Sequence, residues 1–538
     1  MNNQLERIQS MVSKKRVVHI FIIMMSIAVM VSCSAKVEKN QKTRRPNILF
    51  AIADDQSYPY ASAYGTKGIN TPAFDRVANS GILFNNAFVA APQCSPSRAA
   101  ILTGKNMWQL EEAGTHASSF PLKFPVFTDL LEENGYALGY TGKPWGPGNW
   151  EISGWERNPV GPEYNSKRVE EVPASGINKQ DYFGNFADFL DHKEAGKPFF
   201  FWYGGHEPHR VYEAGSGARA GKNASNLELP SFLPDDSVTR NDMMDYAFEI
   251  EYFDSHLGKM LNLLKKKGEL ENTIVVVTAD NGMPFPYAKA NLQEYGTHVP
   301  LAISWPEGIK TIRVVDDLVS MIDLAPTFLE LANIKNIPEM TGSSFVPMLI
   351  GTAKGHDPVR EFVLTGRERH THARPDNLGY PARAIRTRDF LFIMNYKPDR
   401  WPVGDPVSDT EKNRERAAVE GFSSLFPGYH DIDGSPAKTF MMGHQNEFPQ
   451  LFANGFLKRA EEQLYDINSD PGCVRDLAQD SAYQDIKNQL RRLLDEKLLE
   501  QGDPRMMGSD IFDSYPRYSP MRNFEGFNKR GEYNPAYK

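Results

Sequence analysis

A set of short, unbroken apolar runs, spread widely along the chain, most constrains the fold. Ile48–Ala53, Phe199–Tyr203 and Ile274–Val277 show no polar alternation, the pattern of strands buried on both faces of a parallel sheet. Ile82–Phe84 with Ala87–Val89 forms a weaker strand region, and Tyr136–Tyr140 and Leu301–Ser304 supply two more. Phe127–Asn134 reads as a helix closed by Gly135. Asp242–Leu264 has helical periodicity and ends in Lys265–Lys267 and Gly268, cations and a glycine suited to a helix C-terminus. Strands alternating with helices predict an α/β sandwich around a mostly parallel sheet.

The pattern changes after residue 355. Glu361–Leu364, Ala384–Thr387 and Phe390–Asn395 read as shorter strands, and helix returns at Ala482–Glu500. The expected organisation is a catalytic domain over 46–355 and a smaller C-terminal α+β domain over 356–500. Residues 501–538, rich in Pro, Gly, Tyr and Arg, form a tail that either wraps or is disordered. At the other end, Lys14, Lys15 and Arg16 precede the apolar run Val17–Val31, which stops at Cys33. Residues 1–33 resemble a bacterial lipoprotein signal, in which the cysteine is lipidated, and residues 34–45 form a polar spacer. The protein is therefore expected to be exported to the periplasm or cell surface, anchored to the outer membrane if Cys33 carries lipid. Plain secretion is the alternative; the run is too short for a membrane span.

The net charge is −8, which argues against nucleic acid, because phosphate binding needs a basic face. It does not exclude an anionic small substrate, since a few convergent cations outweigh a mildly acidic surface. There are three cysteines, too few for a disulfide framework once Cys33 and Cys94 have other roles.

Two acidic pairs follow apolar strands: Asp54-Asp55 after Ile48–Ala53, and Asp280-Asn281 after Ile274–Val277. Ligand sites in open α/β sheets gather beyond the carboxyl ends of strands. Three carboxylates and an amide oxygen suit a hard cation, Ca²⁺ or Mg²⁺. Each pair taken alone is also a common turn.

Cys94-Ser95-Pro96-Ser97-Arg98 continues into Ala99-Ala100-Ile101-Leu102-Thr103-Gly104. This segment resembles the signature of the sulfatase family, in which a Cys-x-Pro-x-Arg core precedes an apolar pair and Thr-Gly. A lone buried cysteine is more often structural; the extension and the acidic pairs shift that balance. Within the family the chain is most similar to the heparan N-sulfatase (sulfamidase) group. The segments behind that likeness are Phe199–Arg210, Thr278–Asn291, Met321–Leu329, Thr341-Gly342 before Ser344-Phe345-Val346-Pro347, and Leu464-Tyr465-Asp466 before Asp470-Pro471.

The resemblance implies an alkaline-phosphatase-like sandwich and a formylglycine made from Cys94 by a formylglycine-generating or anaerobic sulfatase-maturating enzyme. It implies Asp54, Asp55, Asp280 and Asn281 as ligands of one calcium ion, shared with modified Cys94. Arg98 would brace the nucleophile, Lys143 and Lys289 would bind sulfate, and His209 would protonate the leaving group. Lysines in such positions are otherwise ordinary surface groups. Two positions depart from the pattern. Trp145 stands where sulfatases commonly carry a histidine, and indole, a donor only, cannot act as a base. Lys289 stands where sulfamidases resemble arginine. Either another group, His116 or His206, is then expected to serve the elimination step, or turnover is slow.

Sugar contacts are expected from His206, His116, Arg210, Arg367, His370, Arg374 and Arg383, a set that can equally be a solvated basic face. Trp108, Trp145 and Trp150 are either stacking platforms or walls. The expected reaction is hydrolysis of O-sulfate esters of a sulfated, uronic-acid-containing polysaccharide or its oligosaccharides. The runner-up is N-sulfoglucosamine sulfohydrolysis. A phosphatase or phosphodiesterase of the same fold, or an inactive glycan-binding lipoprotein, is the remaining alternative.

Overall fold

The computed structural model describes residues 44–351, 357–371, 373–374, 378–404, 406 and 428–518. Residues 1–43, which include the expected signal segment and Cys33, and the end of the tail lie outside the described residues. Eight strands build the larger sheet: β1 Asn47–Ala53, β2 Gly81–Phe88, β3 Ala137–Gly142, β4 Phe199–Gly204, β5 Thr273–Ala279, β6 His298–Ser304, β7 Arg313–Val315 and β8 Val319–Ser320. They run in the order β3-β4-β1-β5-β6-β2-β7, with β8 also on β2. Pairing is parallel except at β6, which is antiparallel to both β5 and β2. The two apolar pieces expected near residue 85 are one strand, β2, whose register shifts between Phe84 and Ala87.

Phenylalanines of β4 show why the sheet is covered twice. Neighbouring side chains point to opposite faces. Phe199 and Phe201 meet Phe186 and Phe189 of the helix Tyr182–His192. Phe200 meets Phe127 and Phe328, from the helices Phe127–Glu133 and Leu324–Leu331. The long helix Ser237–Lys267 starts five residues before the expected Asp242. The Asp236 side chain accepts from the Val238 and Thr239 amides, and Gly268, at φ 70°, closes the other end.

The second sheet is antiparallel, in the order β12-β11-β10-β9: β9 Phe362–Arg367, β10 Ala382–Thr387, β11 Phe390–Asn395 and β12 Glu462–Asp466. The helix Gln484–Glu500 buries Leu490, Leu494 and Leu498 in one cluster with Ile385, Phe392 and Leu464. The tail wraps as far as it is described. Asp503 pairs with buried Arg383, and Arg505 with buried Glu368. The Tyr518 amide then reaches the Ala117 carbonyl at 2.5 Å.

Candidate active site

Register brings the acidic pairs together. Ala53 of β1 lies opposite Ala279 of β5, so Asp54-Asp55 and Asp280-Asn281 leave adjacent strand ends side by side. The Asp280 amide donates to the Ala53 carbonyl at 3.1 Å and the Asp55 amide to Asp280 Oδ1 at 3.2 Å. Asp55 adopts φ 70° to make this turn. Cys94 opens the helix Cys94–Thr103, buried at all ten positions. Its Sγ lies 3.3 Å from Asp54 Oδ1.

Cations close the ring. Arg98, one turn into that helix, donates from Nε to Asp280 Oδ2 at 2.7 Å and from Nη1 to the Lys143 and Pro144 carbonyls. Lys143 follows β3 and reaches Asp54 Oδ2 at 2.5 Å. Lys289 pairs with both oxygens of Asp55 and lies 3.7 Å from Asp433. His209 places Nε2 3.8 Å from Asp55 Oδ2, while its Nδ1 donates to the Arg210 carbonyl at 2.6 Å.

Burial alone would raise the Asp54 carboxyl, but Lys143, His209 and Arg98 hold it well below the usual range. Burial and the Asp54 charge push the Cys94 thiol well up, so the unmodified side chain is a protonated thiol and a poor nucleophile. Burial, with Lys143, lowers His206 to about 4, and burial with His370 lowers His116, leaving both rings neutral near pH 7.

The donor set fits a hard cation. Ligand atoms of Asp54, Asp55, Cys94 and Asp280 lie within 4.8 Å of one another. Asn281 Oδ1 is buried there without a hydrogen-bond partner, as an oxygen ligand aimed at a cation would be.

A cavity of about 490 Å³ opens over Asp54, Cys94, Lys143, His209 and Lys289. His116, His206, His370 and Arg210 also line it. Arg210, however, forms a bidentate pair with Asp242, at 2.6 and 2.8 Å, between the rings of Tyr212 and Phe285. It braces the loop. The expectation for the other arginines is corrected. Arg367 and Arg374 converge on buried Asp431, and Arg383 is clamped by Glu368 and Asp503. None of the three lines the cavity, so they tie the second sheet to its loops. Trp108 donates to Gln501, and Trp145 to the Ser95 carbonyl at 3.1 Å; both are 2% exposed, walls and not platforms. Sequence reasoning missed Asn178, Asp433 and Arg517 in the lining. Only an Asp-Ile-Asp-Gly turn and a basic tail signalled the last two.

Residues 46–334 match the family described as Sulfatase, and residues 286–416 the C-terminal region of N-sulphoglucosamine sulphohydrolase. An ulvan-active sulfatase of Formosa agariphila is 27% identical over 472 residues, 86% of this chain and 81% of that protein. Human N-sulphoglucosamine sulphohydrolase is 27% identical over 533 residues, 90% of this chain and 96% of that one. A solved structure of a protein in complex with its substrate, D-glucosamine-2-N,6-O-disulfate, superposes with a TM-score of 0.60 at 20% identity, covering 87% of this chain and 99% of that one.

Proposed function

The chain belongs to the sulfatase family, and from that premise we propose that it hydrolyses O-sulfate esters of a sulfated polysaccharide or its oligosaccharides. In this reading Cys94 is converted to formylglycine by a maturating enzyme, and Asp54, Asp55, Asp280 and Asn281 hold one Ca²⁺ or Mg²⁺. The observation that carries it is the position of Cys94 at a helix N-terminus, its Sγ 3.3 Å from Asp54 inside the carboxylate ring. Formylglycine supplies, through its hydrate, an oxygen nucleophile and a second hydroxyl that lets sulfate depart. The cation supplies charge to neutralise the sulfate oxygens.

The chain's own groups do the rest. Lys143 and Lys289, fixed by Asp54 and Asp55, hold sulfate oxygens at the cavity wall. Arg98 locks Asp280 and the Lys143–Pro144 backbone beside the nucleophile. His209 uses Nδ1 on the Arg210 carbonyl, which leaves Nε2 to donate a proton to the departing sugar oxygen. Trp145 holds Ser95 and has no basic nitrogen, so His116 or His206, neutral through burial, serves as base. The match of residues 286–416 favours one second reading, N-sulfoglucosamine sulfohydrolysis.

Expressed with a maturating enzyme, the wild-type chain is expected to release sulfate from at least one sulfated oligosaccharide. Peptide mass spectrometry should show an aldehyde in place of the Cys94 thiol, and Cys94→Ala should abolish release without lowering the melting temperature. Release that persists in Cys94→Ala would overturn the nucleophile assignment, and a panel of N- and O-sulfated sugars separates the two readings. Residues 1–33 and Cys33 support export to the periplasm or cell surface. Fatty-acid labelling lost in Cys33→Ala is the expected sign of a lipid anchor, and equal labelling in that variant would exclude it.

A further inference from the structure

We propose that Arg517, carried into the active-site cavity by the C-terminal tail, recognises a second anionic group on the substrate. The enzyme then prefers sugars bearing another sulfate or a carboxylate near the scissile sulfate. The inference rests on the sulfatase reading for the identity of the first anion.

The path of the tail is the first argument. Arg400 holds Asp513 through a forked pair at 2.9 and 3.1 Å. Arg369 donates to the carbonyls of Tyr515 and Pro516, and Ser118 Oγ adds a bond to the Pro516 carbonyl at 3.0 Å. One residue beyond Arg517, the Tyr518 amide bonds to Ala117. The backbone is thus tied on both sides of Arg517, against the loop that carries His116. With the backbone already fixed, binding has only the side chain's own rotamers to order.

Chemistry is the second. Arg517 shares the cavity lining with His116, His370, Thr371 and Lys289, and its positive charge is among those that lower His116. A planar guanidinium presents two parallel N–H groups to a carboxylate or sulfate, a geometry that lysine lacks. The matched family segments end at residues 334 and 416, so this cation comes from a part of the chain outside both.

The test measures binding by calorimetry on the full mature chain carrying Cys94→Ala. Three probes are compared: a monosulfated hexosamine, the same sugar with a second sulfate, and the monosulfated sugar joined to a uronate. The second anion is expected to tighten binding by about 10- to 100-fold, as a charge-assisted bidentate contact does. Adding Arg517→Ala should reduce that gain to less than about threefold, and Arg517→Lys should retain part of it. A gain with the disulfated or the uronate probe alone supports the proposal and identifies the group. No gain in Cys94→Ala, or an equal gain in the double variant, overturns it. Sulfate release by the wild-type chain is scored apart, so failure of hydrolysis and failure of this contact give different results.

Discussion

Glu294 sits between an arginine and a histidine from different strands. Its Oε1 accepts from Arg386 of β10 at 2.6 Å, and its Oε2 meets His298 of β6 at 3.2 Å, joining the two sheets. Burial would raise its pKa, but Arg386 and His298 hold it at about 2, against an ordinary 4.5. A depressed carboxyl stabilises the fold fully above the unfolded value and loses that contribution as pH falls from 4.5 through 2. The contribution is on the order of 3 kcal/mol. Denaturant titrations of wild type and Glu294→Gln should therefore differ by about that much near pH 6, the gap narrowing below pH 4.5 and closing only toward pH 2. A gap independent of pH would sink the assignment. At this scale, residues whose chemistry is local were legible in the sequence. Cys94, Arg98, Lys143, His209 and Lys289 do gather in one cavity or its wall. Arg367, Arg374 and Arg383 were misread because a buried cation's meaning lies in its partner. Asp431, Glu368 and Asp503 meet them only after folding.

Among the elements, the strands buried on both faces were the plainest, since a continuous β-branched or aromatic run allows few other structures. The orientation of β6 was not legible, because periodicity carries no strand direction. The helix Cys94–Thr103 was recognised as a motif and not as a helix. It is buried all round, so it has no polar face to give a period. The long helix was read five residues short because Asp236, a side-chain cap, precedes a polar first turn. That cap is testable. Asp236→Ala removes acceptors for the Val238 and Thr239 amides and should cost about 1 kcal/mol. Chemical denaturation should show a slightly lower midpoint with sulfate release unchanged; an unaltered midpoint would mean that water replaces the cap.

For the molecule as a whole, the tail is structural well before Arg517. A chain ending at Gln501 leaves Arg383, 0% exposed, without Asp503, and Glu368 without Arg505. Removing one partner of a buried pair costs about 3–5 kcal/mol. The truncated chain should therefore unfold at clearly lower denaturant than one ending at Tyr518, and coincident midpoints would show that the network is dispensable. The order of the larger sheet has a different consequence, one for synthesis. The first strand to emerge, β1, is flanked in the finished sheet by β4 and β5, which begin at Phe199 and Thr273. Until Ala279 has been added, β1 has at least one open edge and no carboxylate partner for Asp54-Asp55. Such long-range pairing folds slowly and leaves a bare strand edge open to other chains. The ribosome thus delivers an apolar strand that must wait about two-fifths of the chain for its second neighbour. The acidic ring of Asp54, Asp55 and Asp280 can close only when that wait ends.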